Sequence, residues 1–141
     1  MPSVSKEEPK SALYVDSSVL IALLAAGDKQ HESAVRLVRA RQRPMVTSSV
    51  SEVEIGRALG RRVAPRSVQR AARELLDHCE IVDLTPEIRN RAIEVRPASV
   101  RSLDAIHVAT ALVAGLNGFA SFDARQRIAA EEMGLKLVAG G

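Results

Sequence analysis

Four carboxylates, far apart in the chain, occupy similar local settings. Asp16 follows the apolar Leu13-Tyr14-Val15, Asp123 follows "GFASF", Asp104 lies near the start of "SLDAIHVATALVAG", and Glu54 stands within "SSVSEVEIGRAL". Alone, each has a structural explanation. Asp16 and Asp123 can act as helix N-caps, worth about 1 kcal/mol. Asp104, in the first turn of a helix capped by Ser102, interacts favourably with the helix dipole. Glu54 can be an ordinary surface glutamate. Together they suggest different chemistry. Two carboxylates ~5 Å apart at an effective dielectric of ~20 repel by about 3 kcal/mol. Four gathered at one place need a counter-charge, and a divalent cation supplies it. Oxygen donors without a cysteine partner suit a hard ion, Mg²⁺ or Mn²⁺, over zinc.

Two neighbours qualify this set. Glu52 is about 200° round a helix from Glu54, so only one of the two can face the site. His107 lies one helical turn after Asp104, as a ligand or base, or as a packing or supporting residue on the same helix. Asp104 itself is flanked by Leu103, Ala105 and Ile106. It brings a charge into a mostly buried helix, a costly arrangement without a partner.

Alternating strands and helices must position these groups. Strands are expected at 13–15, 44–48, 80–84, 118–122 and 135–138. The helix from Ser17 carries Leu20, Leu23 and Leu24 on one face. "KQHESAVRLVRARQ" continues helically, with Ala34, Val35 and Val38 inward and Arg36 and Arg39 outward. "VSEVEIGRALGRR" follows the second strand. Pro65 opens a helix whose buried stripe is Val68, Ala72, Leu75 and Leu76. Thr85-Pro86-Glu87 reads as a helix start, and Gly115 and Gly134 close two later helices. This alternation predicts a doubly wound parallel sheet covered on both faces. Residues 1–11, with two prolines and no apolar periodicity, read as a flexible tail before a single domain over 12–141.

Composition narrows the function classes. The chain has 141 residues, 46% of them hydrophobic and 26% charged, as in a soluble globular domain. Aromatics make up 2%, which argues against base-stacking platforms of the single-strand-binder type. Cys79 is the only cysteine, so internal disulfides and multi-cysteine zinc sites are excluded; it reads as a small buried hydrophobe. The net charge of +3 and pI near 9.5 fit either an arginine-biased composition or a phosphate-bearing partner. "MPSVSKEEPKS" lacks an apolar signal-peptide core, and Val19 to Ala26 is too short to span a bilayer, so a cytoplasmic protein is expected. No P-loop or G-x-G-x-x-G follows a strand. A phosphoacceptor receiver domain would carry an adjacent acidic pair after the first strand, whereas Ser17 follows Asp16. It would also carry a phosphoacceptor at the third strand and a lysine near the last; the only lysine after residue 29 is Lys136.

"LYVDSSVLIALL", "TSSVSEVEIGRAL", "SLDAIHVATAL" and "FASFDARQRIAAEEMGLKL" resemble, in order and spacing, the PIN-domain nucleases, among them the VapC-like toxins of bacterial toxin–antitoxin pairs. The resemblance runs from residue 12 to the end. It implies a three-layer α/β/α domain with a five-stranded parallel sheet of order 3-2-1-4-5, and metal-dependent endoribonuclease activity. Asp16, Glu54, Asp104 and Asp123 match the family's acidic positions, with Mg²⁺ or Mn²⁺ as the implied ion. Ser17 would steady the cluster or cap its helix. Ser121 stands where threonine is commoner, and a further acid found in some relatives is absent.

An acidic pocket repels RNA, so something must attract it. Arg66, Arg70 and Arg73 share a helical face, and Arg61 and Arg62 end the preceding helix. They form a solvated face, a phosphate contact or a dock for an acidic partner. The resemblance implies an antitoxin as that partner, and a homodimer, for which Gly56 and Gly60 would permit close helix contact. The alternatives are a non-toxin RNA-processing nuclease and a catalytically silent binding protein of the same fold, though with all four acids present nothing favours lost activity.

Overall fold

The computed structural model describes residues 12–41 and 44–138. The expected tail at 1–11 lies outside the described residues. In chain order the elements are β1 (Leu13–Val15), α1 (Ser17–Leu24), α2 (His31–Arg41), β2 (Met45–Ser48), α3 (Ser49–Arg61) and α4 (Arg66–Asp77). Then come β3 (Cys79–Val82), α5 (Pro86–Ile93), α6 (Ser102–Val113), β4 (Gly118–Ala120), α7 (Ala124–Glu132) and β5 (Lys136–Leu137).

All five strands are parallel, in the order β3-β2-β1-β4-β5. This is the doubly wound sheet that the alternation predicts, in the order the resemblance implies. β1 is central, and its side chains alternate between the two faces. Leu13 and Val15 pack with Val19, Leu20, Ala34, Leu37, Ile55 and Ala72 under α1 to α4. Tyr14 packs on the opposite face with Ile88, Val108, Phe119, Ala129 and Leu135, under α5 to α7. Small residues of α6 and α7 (Ala105, Ala109, Ala129, Ala130) let those helices lie close on the sheet.

Several boundaries shift from expectation. β4 stops at Ala120, which pairs with Val15 at the end of β1, and β3 ends at Val82. Edge strand β5 keeps only two residues in its ladder. α2 begins at His31, after a turn in which the Gln30 amide donates to Asp28. Its buried positions are Ala34 and Leu37, while Val35 and Val38 are half-buried. α1 buries Val19, Leu20 and Ala22, leaving Leu23 and Leu24 half-covered. The cap of α6 is Arg101, in extended backbone and without a side-chain bond; Ser102 is the first helical residue and not the cap. Thr85 does cap α5 through the Ile88 amide. Gly115 and Gly134 adopt φ of 76° and 93° just past α6 and α7, the left-handed stop that glycine permits. Cys79, on an edge strand, is half-buried, and burial pushes its thiol up to about 11. Among the described residues no helix is long and apolar enough to cross a membrane.

Candidate functional site

The carboxyl ends of β1, β2 and β4 lie side by side. The predicted acids stand on the segments just beyond these strands or, for Asp104, at the start of α6. Tyr14 is in register with Phe119 and Val15 with Ala120. The Asp16 amide donates to the Ala120 carbonyl at 3.1 Å. β1 and β4 are neighbours although far apart in sequence, which is the strand-order reversal where ligands of such sheets bind.

Asp16 is 2% exposed. Its Oδ1 accepts from the Val19 amide (3.2 Å) and the Ser18 hydroxyl (2.7 Å), so it does cap α1. Its Oδ2 accepts from the Ser121 hydroxyl (2.6 Å) and from the side-chain amide of Gln126. Ser18 in turn accepts from the Phe122 amide at 2.9 Å, so the two loops are laced together across the switch point. Burial raises the carboxyl of Asp16, with His107 and the hydrogen bonds opposing it. Capping and a place at the acidic edge are therefore not alternatives.

Asp123 caps α7 through the Gln126 amide (3.1 Å) and faces solvent. Half-buried Asp104, in the first turn of α6, shares with it a depression of about 270 Å³ that Arg101, Ala124 and Arg125 also line. Burial raises Asp104, and the charges of Asp123, Asp16 and Glu54 raise it further, against His107. Asp104 thus feels the charge of each of the other three predicted acids.

Glu54 projects from α3, while Glu52 lines a different groove between α3 and α4. Burial raises the Glu54 carboxyl, but His107 and the Ser17 hydroxyl outweigh it, and the net direction is down. His107, 1% exposed, holds Glu54 Oε1 through Nε2 at 2.8 Å and Tyr14 Oη through Nδ1 at 2.6 Å. The Glu54 carboxylate only accepts, and the Tyr14 hydroxyl has one proton to give to Nδ1. That donor count assigns the His107 proton to Nε2, facing Glu54. Both ring nitrogens are spent on the protein, which leaves no lone pair for an ion. Tyr14→Phe keeps the stack on Phe119, with ring centroids 5.2 Å apart, but strands Nδ1. It is expected to cost about 1–2 kcal/mol in urea unfolding, the penalty of a buried acceptor left unmet.

Among the described residues, no three His, Cys, Asp or Glu side chains stand close enough to hold an ion as placed, because Asp16 is turned toward its protein donors. The donor set nevertheless suits a hard cation. Asp16, Asp104 and Asp123 have no Arg, Lys or His within 4.0 Å among the described residues, whose ion pairs are Arg36–Glu32 and His107–Glu54. Turning Asp16, Asp104 and Asp123 toward a divalent ion would relieve their mutual destabilisation.

The basic residues divide. Arg66, Arg70 and Arg73 line a shallow depression on α4 with Gln69, and Arg61 and Arg62 are exposed at the end of α3; none lines the acidic depression. Gly56 and Gly60 line the groove of about 490 Å³ between α3 and α4, with room for a Cβ. Sequence reasoning missed Gln126, Ser18 and Tyr14. The spacing Asp123-x-x-Gln126 signals a capping box, but only the tertiary structure turns that amide inward to Asp16.

The PIN domain family matches residues 13–132, and the chain belongs to it. Within the family it is similar to Ribonuclease VapC46 of Mycobacterium tuberculosis, 32% identical over 131 residues that cover 92% of this chain and 98% of the relative. The crystal structure of Mycobacterium tuberculosis VapC20, described as a Sarcin-Ricin loop cleaving toxin, superposes with a TM-score of 0.74 at 26% identity, covering 90% of this chain and 98% of that one. A toxin–antitoxin complex from Klebsiella pneumoniae shares the fold at a TM-score of 0.71 and 18% identity, covering 92% and 98%.

Proposed function

We propose that this chain is a divalent-metal-dependent endoribonuclease and the toxin of a toxin–antitoxin pair. The observation that carries the reading is a set of carboxylates at the switch point, in which the other three raise Asp104 and three of the four have no basic partner among the described residues. Asp16, Asp104 and Asp123 are the side chains that would hold Mg²⁺, or Mn²⁺ in its place. Such an ion supplies Lewis acidity to a phosphate oxygen and lowers the pKa of a bound water. Glu54, kept ionised by His107 and Ser17, orients the attacking water in line with the leaving oxygen or helps hold a second ion. No group of the set is a covalent nucleophile, so the expected route is direct hydrolysis by water, without a covalent enzyme intermediate.

VapC relatives and toxin–antitoxin neighbours support a small antitoxin as partner. Its acidic groups would meet Arg61, Arg62, Arg66, Arg70 and Arg73. A homodimer in the cytoplasm, where RNA is available, completes the proposal. Incubation with RNA should yield internal cuts with Mg²⁺ or Mn²⁺ and none with EDTA. Cleavage that survives EDTA would overturn the mechanism. Co-expression with the product of the adjacent upstream reading frame should suppress toxicity.

A further inference from the structure

We propose that Arg101, Arg125 and the notch beside them form a nucleotide subsite, which takes the phosphate and base next to the scissile bond of a single-stranded RNA. This rests on the nuclease reading. Arg101 immediately precedes α6, and Arg125 lies in the first turn of α7. Both are exposed and line the same depression as Asp104 and Asp123, yet neither forms an ion pair with them. Their guanidinium groups are therefore available to another anion.

A strand entering the acidic depression needs such a contact. A cation among the acids neutralises only the reacting phosphate, and the next one along meets carboxylates unless guanidinium groups receive it. The N-termini of α6 and α7 add amide dipoles of the right sign.

Arg125 also lines a second hollow of about 370 Å³, with Pro97, Ser99, Val100 and Ile128. That volume falls within the roughly 300–1,000 Å³ of small-molecule pockets. Ile128 is 53% exposed and lies three residues beyond Arg125, on the same side of α7. Acid, guanidinium and apolar wall thus succeed one another as reacting phosphate, neighbouring phosphate and base do along a strand. The planar guanidinium of Arg125 serves as a stacking surface in a chain poor in aromatics, and the Ser99 hydroxyl can donate to or accept from a base edge. The depression on α4, lined by Arg66, Gln69, Arg70 and Arg73, adjoins a groove with its own acids and apolar wall, but none of Asp16, Glu54, Asp104 and Asp123 lines either.

Binding of a fluorescein-labelled pool of single-stranded RNA 12-mers, measured by anisotropy in EDTA, tests this without turnover. Arg125→Ala and Arg101→Ala should each weaken binding roughly tenfold, the loss of one charged hydrogen-bonding group. Each should lower the slope of log affinity against log salt by about 0.7, one phosphate on a single strand. Arg36→Ala removes the same charge elsewhere and should do neither. With Mn²⁺ present, Arg125→Ala should raise KM with kcat kept within about twofold. Ile128→Ser should alter base preference beside the cut with the salt slope unchanged.

Equal affinity for Arg125→Ala and Arg36→Ala overturns the subsite, as does a wild-type protein that fails to bind the pool at low salt. So does a loss confined to antitoxin binding, which assigns the rim to the protein partner. Melting curves identify any variant that fails to fold, and the other arginine then decides. The nuclease reading fails separately, if the wild type binds RNA in EDTA yet cuts none with Mg²⁺ or Mn²⁺.

Discussion

Asp16→Asn is expected to lower RNA cleavage by on the order of 10³-fold, with a melting temperature unchanged or raised. Loss of a charge that holds the ion removes several kcal/mol of charge stabilisation in the transition state, at about 1.4 kcal/mol per tenfold in rate. Folding should not suffer in proportion. Asparagine caps helices about as well as aspartate, so the Val19 amide and Ser18 hydroxyl keep an acceptor. The new amide meets the Gln126 side chain, whose oxygen can turn to receive it, and the Ser121 hydroxyl, which can rotate to accept. Removing a buried carboxylate also removes the desolvation penalty that raises Asp16. Single-turnover cleavage beside a thermal melt separates the outcomes. A large fall in melting temperature with cleavage by the folded fraction retained would show Asp16 to be a structural cap and little more.

Metal removal should expose the same penalty as a pH-dependent loss of stability. The folded protein holds protons on Asp16 and Asp104 more tightly than the unfolded chain does. In EDTA, stability should therefore fall as pH rises from the ordinary value of 3.8 through their raised folded values, and stay low above them. Glu54 runs the other way. Its contribution is present above 4.5 and fades as pH falls through its lowered folded value. It is partly exposed, so solvent screening keeps this opposing effect small. An ion that binds only the folded state at a hundred times its Kd adds about 2.7 kcal/mol. For a domain of this size that raises the melting temperature by about 5–10 °C. The increment from Mg²⁺ or Mn²⁺ should be larger at pH 8 than at pH 5, because the ion competes with protons for the same oxygens. Calorimetry at the two pH values checks this, and an equal increment in Asp16→Asn would mean that the ion binds elsewhere.

The alternation of apolar strands with amphipathic helices was legible from residues alone, because burial on both faces of a parallel sheet imposes continuous apolar runs. So were the local turns: Thr85 capping α5, Pro65 opening α4, and Gly115 and Gly134 ending their helices. Ends of strands were not, since ladder hydrogen bonds depend on a neighbour that no local window contains. Ser121 illustrates this, because it reads as the continuation of a strand, yet β1 ends at Val15, opposite Ala120.

The candidate site divides in the same way. Residue type and position relative to predicted strand ends picked out Asp16, Glu54, Asp104 and Asp123, with four motifs in family order to support them. The donors that orient these acids came only with the tertiary structure, since Gln126, Ser18 and the Tyr14–His107 pair reach their partners across separate elements. It also separated Glu54 from Glu52 and set Arg101 and Arg125, in place of the α4 arginines, beside the acids. Local sequence determines which backbone segments and which charges exist, through propensity and burial acting over a few residues. Which charges meet depends on parallel crossovers that make β1 and β4 neighbours, and that pairing is a property of the whole folded chain.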